Sequence, residues 1–223
     1  MTDSMIKGIK KVCVVIFLAG VSIAGAGSFD DFFTAIKQDN AAKVSELLVK
    51  GFDPNTSDPK GQTGLHIAVR EPSPRVVQIL MDWPKTDVNK LNAQGESILM
   101  LVAIKGQPAL AEKLIQKGAD VNKTGWTPLH YAASGDHASV IRLLLEKSAY
   151  IDAESPNGTT PLMMAAMYGT AASVKLLLQE GADPKIKNEQ GLTALDFAQR
   201  GKRPDAVEAI AAAIRSKLPI GRW

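Results

Sequence analysis

The sequence has few of the residues from which metal, nucleotide and catalytic sites are built. It contains one cysteine, Cys13, and three histidines, His66, His130 and His137. The histidines lie at offset places in the chain and are not joined to carboxylates at helical spacing, so we expect no metal site. The stretch from Gly158 to Thr160 lacks the lysine and the glycine spacing of a phosphate-binding loop. We therefore expect that the protein holds no cofactor.

Catalysis is disfavoured by the surroundings of the candidate residues. Thr127, His130 and Asp136 are of the types found in a catalytic triad. No glycine-rich nucleophile turn surrounds Thr127, however, and this residue is better interpreted as the N-cap of a helix. The sequence thus predicts a protein that is not an enzyme.

The sequence also lacks the charge pattern of a nucleic-acid-binding protein. It has no polybasic run and no platform of aromatic and arginine side chains. The formal net charge is +3, but residues 1–26 hold three lysines and one aspartate, so the remainder carries a net +1. The apparent basicity belongs mostly to the N-terminal segment, and we expect no nucleic-acid partner.

The first 26 residues are typical of a cleaved signal peptide. Three lysines precede an uncharged run of 17 residues, from Val12 to Ser28, and Ala24-Gly25-Ala26 matches the pattern that signal peptidase recognises. We predict cleavage after Ala26, which gives a periplasmic or secreted chain of residues 27–223 with no thiol and no membrane contact. The alternative is an uncleaved anchor, although the second half of the run is weakly apolar for spanning about 30 Å of hydrocarbon.

Residue types that favour helix N-caps recur along the rest of the chain at almost constant spacing. They are Asp30, Thr63, Ser97, Thr127, Thr160 and Thr193, separated by 33, 34, 30, 33 and 33 positions. Their side-chain oxygens can accept hydrogen bonds from the unpaired N–H groups of a first helical turn. Pro128 and Pro161 follow two of them at the first helical position, where proline is well tolerated. We predict that a helix begins after each cap.

Each repeated unit has the pattern of two packed helices. A large apolar residue stands two places after every cap, and a small residue, alanine in all copies but one, stands three places further on. Apolar pairs such as Leu144-Leu145 follow in the second half of the unit, which ends at glycine in three copies, Gly51, Gly118 and Gly181. Repetition at this period predicts an elongated stack of helix pairs.

The clearest unit reads Gly125-Trp126-Thr127-Pro128-Leu129-His130-Tyr131-Ala132-Ala133, and with its period it closely resembles the ankyrin-repeat family. The resemblance implies an all-α solenoid of about six helix-turn-helix repeats with short finger loops, capped at both ends. We place the repeats at about 28–58, 59–92, 93–122, 123–155, 156–188 and 189–218. The residues assigned a structural role are Thr63, His66, Thr127, Pro128, His130, Thr160 and Pro161, the histidines bracing the turns through hydrogen bonds.

Proteins of this family typically bind partners through the finger loops and the exposed side of the first helices. Mapping that surface onto this sequence gives the candidate partner-binding residues Trp126, Tyr168, Met167, Ile104, Lys105, Arg70 and Glu71. Trp126 and Tyr168 are favoured because aromatic residues are enriched at interface cores. Packing inside the stack is the alternative interpretation.

One finger departs from the repeat. Asn122 and Gly125 are three residues apart, whereas the corresponding residues of the other fingers are six apart. Because loops often carry function, the shortened finger predicts a notch beside Trp126.

Together these features predict an exported, monomeric and non-catalytic interaction module in the periplasm of a Gram-negative bacterium. Its partner is expected to be another protein, which it modulates or protects. An inhibitor or immunity protein against a toxic enzyme is the more specific alternative. A membrane-tethered scaffold is the alternative if the signal is not cleaved.

Overall fold

The protein is a single row of stacked helix pairs. The structure, a computed structural model, describes residues 23–216, with side chains described from Gly27 onward. The twelve helices of these residues are α1 Ile23–Lys37, α2 Ala41–Val49, α3 Gly64–Arg70, α4 Pro74–Asp82, α5 Ile98–Ile104, α6 Pro108–Gln116, α7 Pro128–Ser134, α8 Ala138–Glu146, α9 Pro161–Tyr168, α10 Ala171–Gln179, α11 Ala194–Arg200 and α12 Pro204–Ser216. The first helices, α1, α3, α5, α7, α9 and α11, contact one another in that order. The predicted all-α repeat solenoid is confirmed.

Five of the first helices begin in the same way. Thr63, Ser97, Thr127, Thr160 and Thr193 have extended backbone, and each forms a capping box with the residue three places later. Pro128 and Pro161 stand at the start of α7 and α9. Each cap satisfies two N–H groups that a helix start would otherwise leave unpaired, and removing such a residue typically costs about 1 kcal/mol.

The first repeat is the exception, and the prediction of an N-cap at Asp30 is wrong. Helix α1 runs from Ile23 to Lys37, so Asp30 and Asp31 lie inside it. The other caps follow a finger loop that delivers the chain in extended conformation. In residues 23–29 no such loop precedes Asp30, because these residues belong to helix α1.

Predicted cleavage after Ala26 falls within α1 as described, whereas residues 1–22 of the predicted signal peptide lie outside the described residues. None of the helices found in residues 23–216 combines the length and the apolar character that crossing a bilayer requires.

The core lies between the two rows of helices and runs the length of the stack. The small residues of the first helices are buried, for example Ala132 and Ala165. In the second helices of the second to fifth repeats one member of the apolar pair is fully enclosed, as Leu144 and Leu177 are, while its neighbour is partly exposed; in the first repeat both Leu47 and Leu48 are buried. Burial of such side chains against adjacent repeats is the main stabilising contribution in a solenoid.

Asparagine side chains link consecutive repeats at the turns that follow the second helices. The Asn55 amide accepts a hydrogen bond from the N–H of Asp87 and donates one to the carbonyl of Lys85, both at 2.8 Å. Asn89 makes the same pair of bonds to the third repeat, and Asn122 makes them to the fourth. These bonds fix the step from one repeat to the next.

Candidate functional site

The first helices and the finger loops form an inner face in which three positions recur in each repeat. They are the residue before the cap and the fourth and seventh residues after it. In the second to sixth repeats these are Gln62, Ile67 and Arg70; Glu96, Leu101 and Ile104; Trp126, Tyr131 and Ser134; Thr159, Met164 and Met167; Leu192, Phe197 and Arg200. Because the repeats are stacked, side chains at equivalent positions lie side by side, and the inner face changes character along its length.

The N-terminal half of the inner face is a polar network. Arg70 pairs with Glu96 at 2.7 Å between Nη2 and Oε2, and the Asn92 amide donates to the same carboxylate oxygen. The hydroxyl of Tyr131 donates to the other oxygen of Glu96 at 3.3 Å. Lys105 donates through Nζ to the backbone carbonyl of Arg70 at 2.9 Å. The charged side chains Arg70, Glu96 and Lys105 therefore all have hydrogen-bond or ion-pair partners within the protein.

Burial raises the pKa of Tyr131 to about 12, and the negative charge of Glu96 beside the hydroxyl adds to the shift. The phenol consequently stays protonated and acts as a hydrogen-bond donor to Glu96 at physiological pH. Tyr131 marks the boundary between the polar half and the half that follows it.

The C-terminal half of the inner face contains an open groove of about 290 Å³. Its lining is mostly apolar and consists of Trp126, Asn157, Thr159, Met164, Met167, Tyr168, Asn188, Gln190, Leu192, Phe197 and Arg200. Trp126 and Met167 are partly exposed, and Tyr168 is 56% exposed. Three of the predicted partner-binding residues, Trp126, Met167 and Tyr168, therefore come together in one groove.

The groove walls are held by contacts between repeats. The Trp126 ring packs edge-on against the His130 ring, with centroids 5.2 Å apart. His130 in turn contacts the carbonyl of Thr159 in the next finger through Nε2 at 2.8 Å. The tips of the two following fingers are joined by a bond of 3.1 Å from the N–H of Glu189 to the carbonyl of Asn157. A groove of this kind requires little ordering when a ligand binds.

The two motif histidines are buried and serve the fold. Nδ1 of His66 and of His130 lies 3.2 and 3.1 Å from the backbone N–H of its own cap residue, which makes Nδ1 the acceptor. Nε2 then carries the proton and donates to a carbonyl of the next finger, Glu96 or Thr159. Burial lowers the pKa of both histidines, to about 4 for His130. Both rings are neutral at physiological pH.

The other candidate residues lie outside the groove. Arg70 and Lys105 belong to the polar network, and Ile104 is 38% exposed. Glu71 and Pro72 line a separate hollow of about 300 Å³, at the loops that join first and second helices. The structure thus divides the predicted binding residues between two halves of the inner face and one edge.

The groove is displaced from the shortened finger. Its lining includes Trp126 but not Lys123, Thr124 or Gly125. The rest of its lining belongs to the fifth and sixth repeats. That the short finger has a role of its own stays a prediction.

The sequence interpretation missed Met164, Phe197 and Arg200. Phe197 and Arg200 occupy the same positions after the cap Thr193 as Met164 and Met167 occupy after Thr160. Extending the repeat register into the last copy identifies both. In the structure Arg200 lines the groove.

The sequence matches a known family along most of its length. The family model described as "Ankyrin repeats (3 copies)" matches residues 32–123, 65–155 and 149–217. The ankyrin repeat and SAM domain-containing protein 6 of Rattus norvegicus is 34% identical over 109 residues, 47% of this chain and 12% of the relative. The neurogenic locus notch homolog protein 1 of Xenopus tropicalis is 32% identical over 124 residues, 54% of this chain and 5% of the relative. The chain therefore spans only a small part of these relatives.

One solved structure is similar over nearly its whole length. It is one chain from the structure of a complex between a predatory endopeptidase of Bdellovibrio bacteriovorus and an immunity protein. The superposition has a TM-score of 0.70 at 30% identity and covers 82% of this chain and 97% of that chain.

Proposed function

This chain belongs to the ankyrin-repeat family, and from that premise we propose that it binds a partner protein through its inner face and thereby modulates or protects that partner. Ankyrin repeats are protein-interaction modules, and the family is generally non-catalytic. The observation that carries the proposal is the groove between Trp126 and Arg200, where apolar side chains remain partly exposed on a surface that the stack has already fixed. Exposed aromatic and methionine side chains of this kind dominate binding energy at many interfaces.

We propose further that the chain is exported to the periplasm by its N-terminal segment. Support comes from the sequence, in which three lysines, an uncharged run and Ala24-Gly25-Ala26 follow one another. The intact mass of the exported protein shows whether the N-terminal segment has been cleaved or kept. A chain that starts at Gly27 supports a freely diffusing periplasmic protein, and a chain that keeps Met1 supports a membrane-tethered scaffold.

An inhibitor or immunity role is the second candidate function. It is favoured by the similarity to a chain of an endopeptidase–immunity protein complex, which extends over 82% of this chain. The test is to add the purified protein to periplasmic extract of its own source and to measure the endopeptidase activity of the extract. Inhibition that is relieved by Tyr168→Ala supports this role, and unchanged activity at a saturating concentration argues against it.

The partner itself is identified by affinity capture from periplasmic extract on the full chain. We expect one protein to be retained and its retention to fall by about tenfold or more in Trp126→Ala and Tyr168→Ala, since such residues each contribute about 2 kcal/mol or more at interface centres. Val49→Ala, which alters a side chain that is 76% exposed on the second-helix row, is the matched control. Equal retention by all three variants would contradict the inner-face proposal.

A further inference from the structure

We infer that the groove selects a specific feature of its partner, namely an apolar side chain carried next to an aspartate or glutamate. The inference rests on the proposed function, because it assigns chemistry to the surface through which the protein is proposed to bind. It is argued from the size of the groove, from the nature of its lining and from its charge.

The size of the groove fits a side chain better than a cofactor. Small-molecule sites enclose about 300 to 1,000 Å³, so a volume of about 290 Å³ lies at the lower limit of that class. The groove is also open to solvent. A segment of a partner can therefore lie across it while one side chain enters.

The lining of the groove is apolar and adaptable. Trp126 and Phe197 provide flat aromatic surface, and Met164 and Met167 lie between them at adjacent turns of α9. Methionine is unbranched and polarisable, and it therefore repacks around side chains of different shape. The occupant is accordingly an aromatic side chain, leucine or methionine.

The charge at the groove is positive. Arg200 is the one charged residue of its lining, and among the described residues no hydrogen bond or ion pair to the Arg200 guanidinium is found. The neighbouring acid, Asp196, accepts two bonds from Thr193, at 2.7 Å from the N–H and 2.6 Å from the hydroxyl. Both bonds use Oδ2 of Asp196 and, with a smaller contribution from the charge of Arg200, they lower the pKa of this carboxyl, but no hydrogen bond or ion pair joins Asp196 to Arg200 among the described residues.

Arg200 contrasts with Arg70, its counterpart in the polar half. Both residues stand seven places after a cap, but Arg70 is neutralised by Glu96 at 2.7 Å. Glu96 belongs to the finger that follows Arg70, whereas the described residues that follow Arg200 form α12, Pro204–Ser216, and include no further finger. The inner face therefore supplies a carboxylate to Arg70 but none to Arg200, and we infer that the partner supplies it there. A guanidinium beside an apolar surface binds a carboxylate with good geometry.

The inference is tested with peptides as the probe. The full chain is used to select from a phage library of 12-residue peptides whose C-termini are fused to the coat protein, so that only side-chain carboxylates are available. We expect the enriched peptides to carry an aromatic residue, leucine or methionine within two positions of an aspartate or glutamate. Enrichment of peptides with lysine or arginine at that place, or no common pattern, would overturn the inference.

Matched charge reversals complete the test. An enriched peptide, synthesised with an amidated C-terminus, should bind about tenfold more weakly to Arg200→Glu than to the wild type, as measured by fluorescence anisotropy. Lys175→Glu makes the same change of net charge at an exposed position of α10 and should leave binding unchanged. Equal weakening by both reversals would show a non-specific charge effect and would overturn the inference.

Two further outcomes separate this inference from the proposed function. If the captured partner still depends on Tyr168 but not on Arg200, the inference fails while inner-face binding stands. If sedimentation shows self-association that Tyr168→Ala abolishes, the groove is occupied by a second copy of this chain, and the inference fails as well.

Discussion

At the scale of single residues, the third position after each cap shows three solutions to one hydrogen-bonding problem. His66 and His130 accept from the cap N–H through Nδ1, at 3.2 and 3.1 Å. Met100 and Met163 accept through sulfur, at 3.3 and 3.4 Å, and Asp196 accepts through its carboxylate at 2.7 Å. Of these five side chains, the two histidines alone make a second hydrogen bond, from Nε2 to a carbonyl of the following finger. Histidine therefore ties a helix start to the next repeat as well as capping it.

Replacing His130 by methionine should remove part of the pH dependence of stability. The pKa of His130 is lowered to about 4 by burial, so between pH 6.5 and 4 the unfolded chain binds a proton that the folded chain does not. Stability is therefore lost as the pH falls through this window, by roughly 3 kcal/mol in total for this residue. Urea midpoints of wild type and His130→Met at pH 7.5 and pH 4.5 measure the effect.

The methionine variant copies the solution that the chain already uses at Met163, and it should fold. At pH 7.5 we expect it to be about 1 kcal/mol less stable, because the Thr159 carbonyl loses one of its two donors and keeps only the N–H of Ser155. The drop between the two pH values should be clearly smaller than in wild type. An equal drop in both proteins would contradict the assignment of this dependence to His130.

At the scale of elements, the hydrogen bonds of the finger loops distinguish the short finger, Asn122 to Gly125, from the other four. In four fingers the glycine N–H donates to the carbonyl three places earlier, as from Gly61 to Asp58 and from Gly95 to Asn92, both at 2.9 Å. In the short finger the residue three places before Gly125 is Asn122, which forms the link to the next repeat. No separate residue is left to build the turn, so this finger is reduced to a minimal connection.

Lengthening the short finger should cover Trp126. We propose replacing Lys123 and Thr124 by the five residues 90–94 of the finger that precedes Ser97, which adds three residues and restores the turn sequence. With Trp83→Phe and Trp223→Phe in the background, Trp126 is the one tryptophan, and acrylamide quenching of its fluorescence reports its exposure. We expect quenching to decrease and the melting temperature to change by only a few degrees, because loop length has a weak effect on stability.

The three-residue extension has a matched control of the same length, built from glycine and serine. A flexible insertion should cover the indole less than the structured turn does. Unchanged quenching in the extended variant would mean that the short finger does not determine the exposure of Trp126.

At the scale of the whole molecule, stability is distributed along a row of interfaces. Each repeat contacts its neighbours, and the buried residues of the second helices bridge two repeats at a time. The aromatic cluster of Phe29, Phe32, Phe33 and Phe52 reinforces the first repeat, at the N-terminal end of the described stack. A defect in the middle of the row therefore affects more interfaces than a defect at an end.

A cavity in the central repeat should destabilise the whole stack. Leu144 is completely buried in α8, and Leu144→Ala should lower the free energy of unfolding by about 3 kcal/mol through lost burial and an unfilled cavity. Val49→Ala, at a position that is 76% exposed, should change it by no more than about 0.5 kcal/mol. Urea unfolding followed by circular dichroism gives both values, and similar shifts in the two variants would contradict the central role of this interface.

Features that depend on a single repeat could be predicted from the sequence. The caps at Thr63, Thr127 and Thr160, the prolines that follow two of them and the buried small residues all depend on neighbours within a few positions. The N-cap predicted at Asp30 was wrong because capping there depends on a preceding finger loop, and residues 23–29 are helical instead. Local pattern was thus sufficient except where the chain leaves the repeat.

The sequence by itself determined that this protein is a stack of helix pairs, because the same local pattern recurs at a constant period and each copy folds by the same short-range interactions. It also indicated which residue types were available for binding. Only the tertiary structure decided how they are grouped: stacking brings Trp126, Met167 and Arg200 of three different repeats to one groove, while it pairs Arg70 with Glu96. The reason is physical, since the register between repeats is fixed by their packing and by hydrogen bonds between them, and no single repeat contains that information.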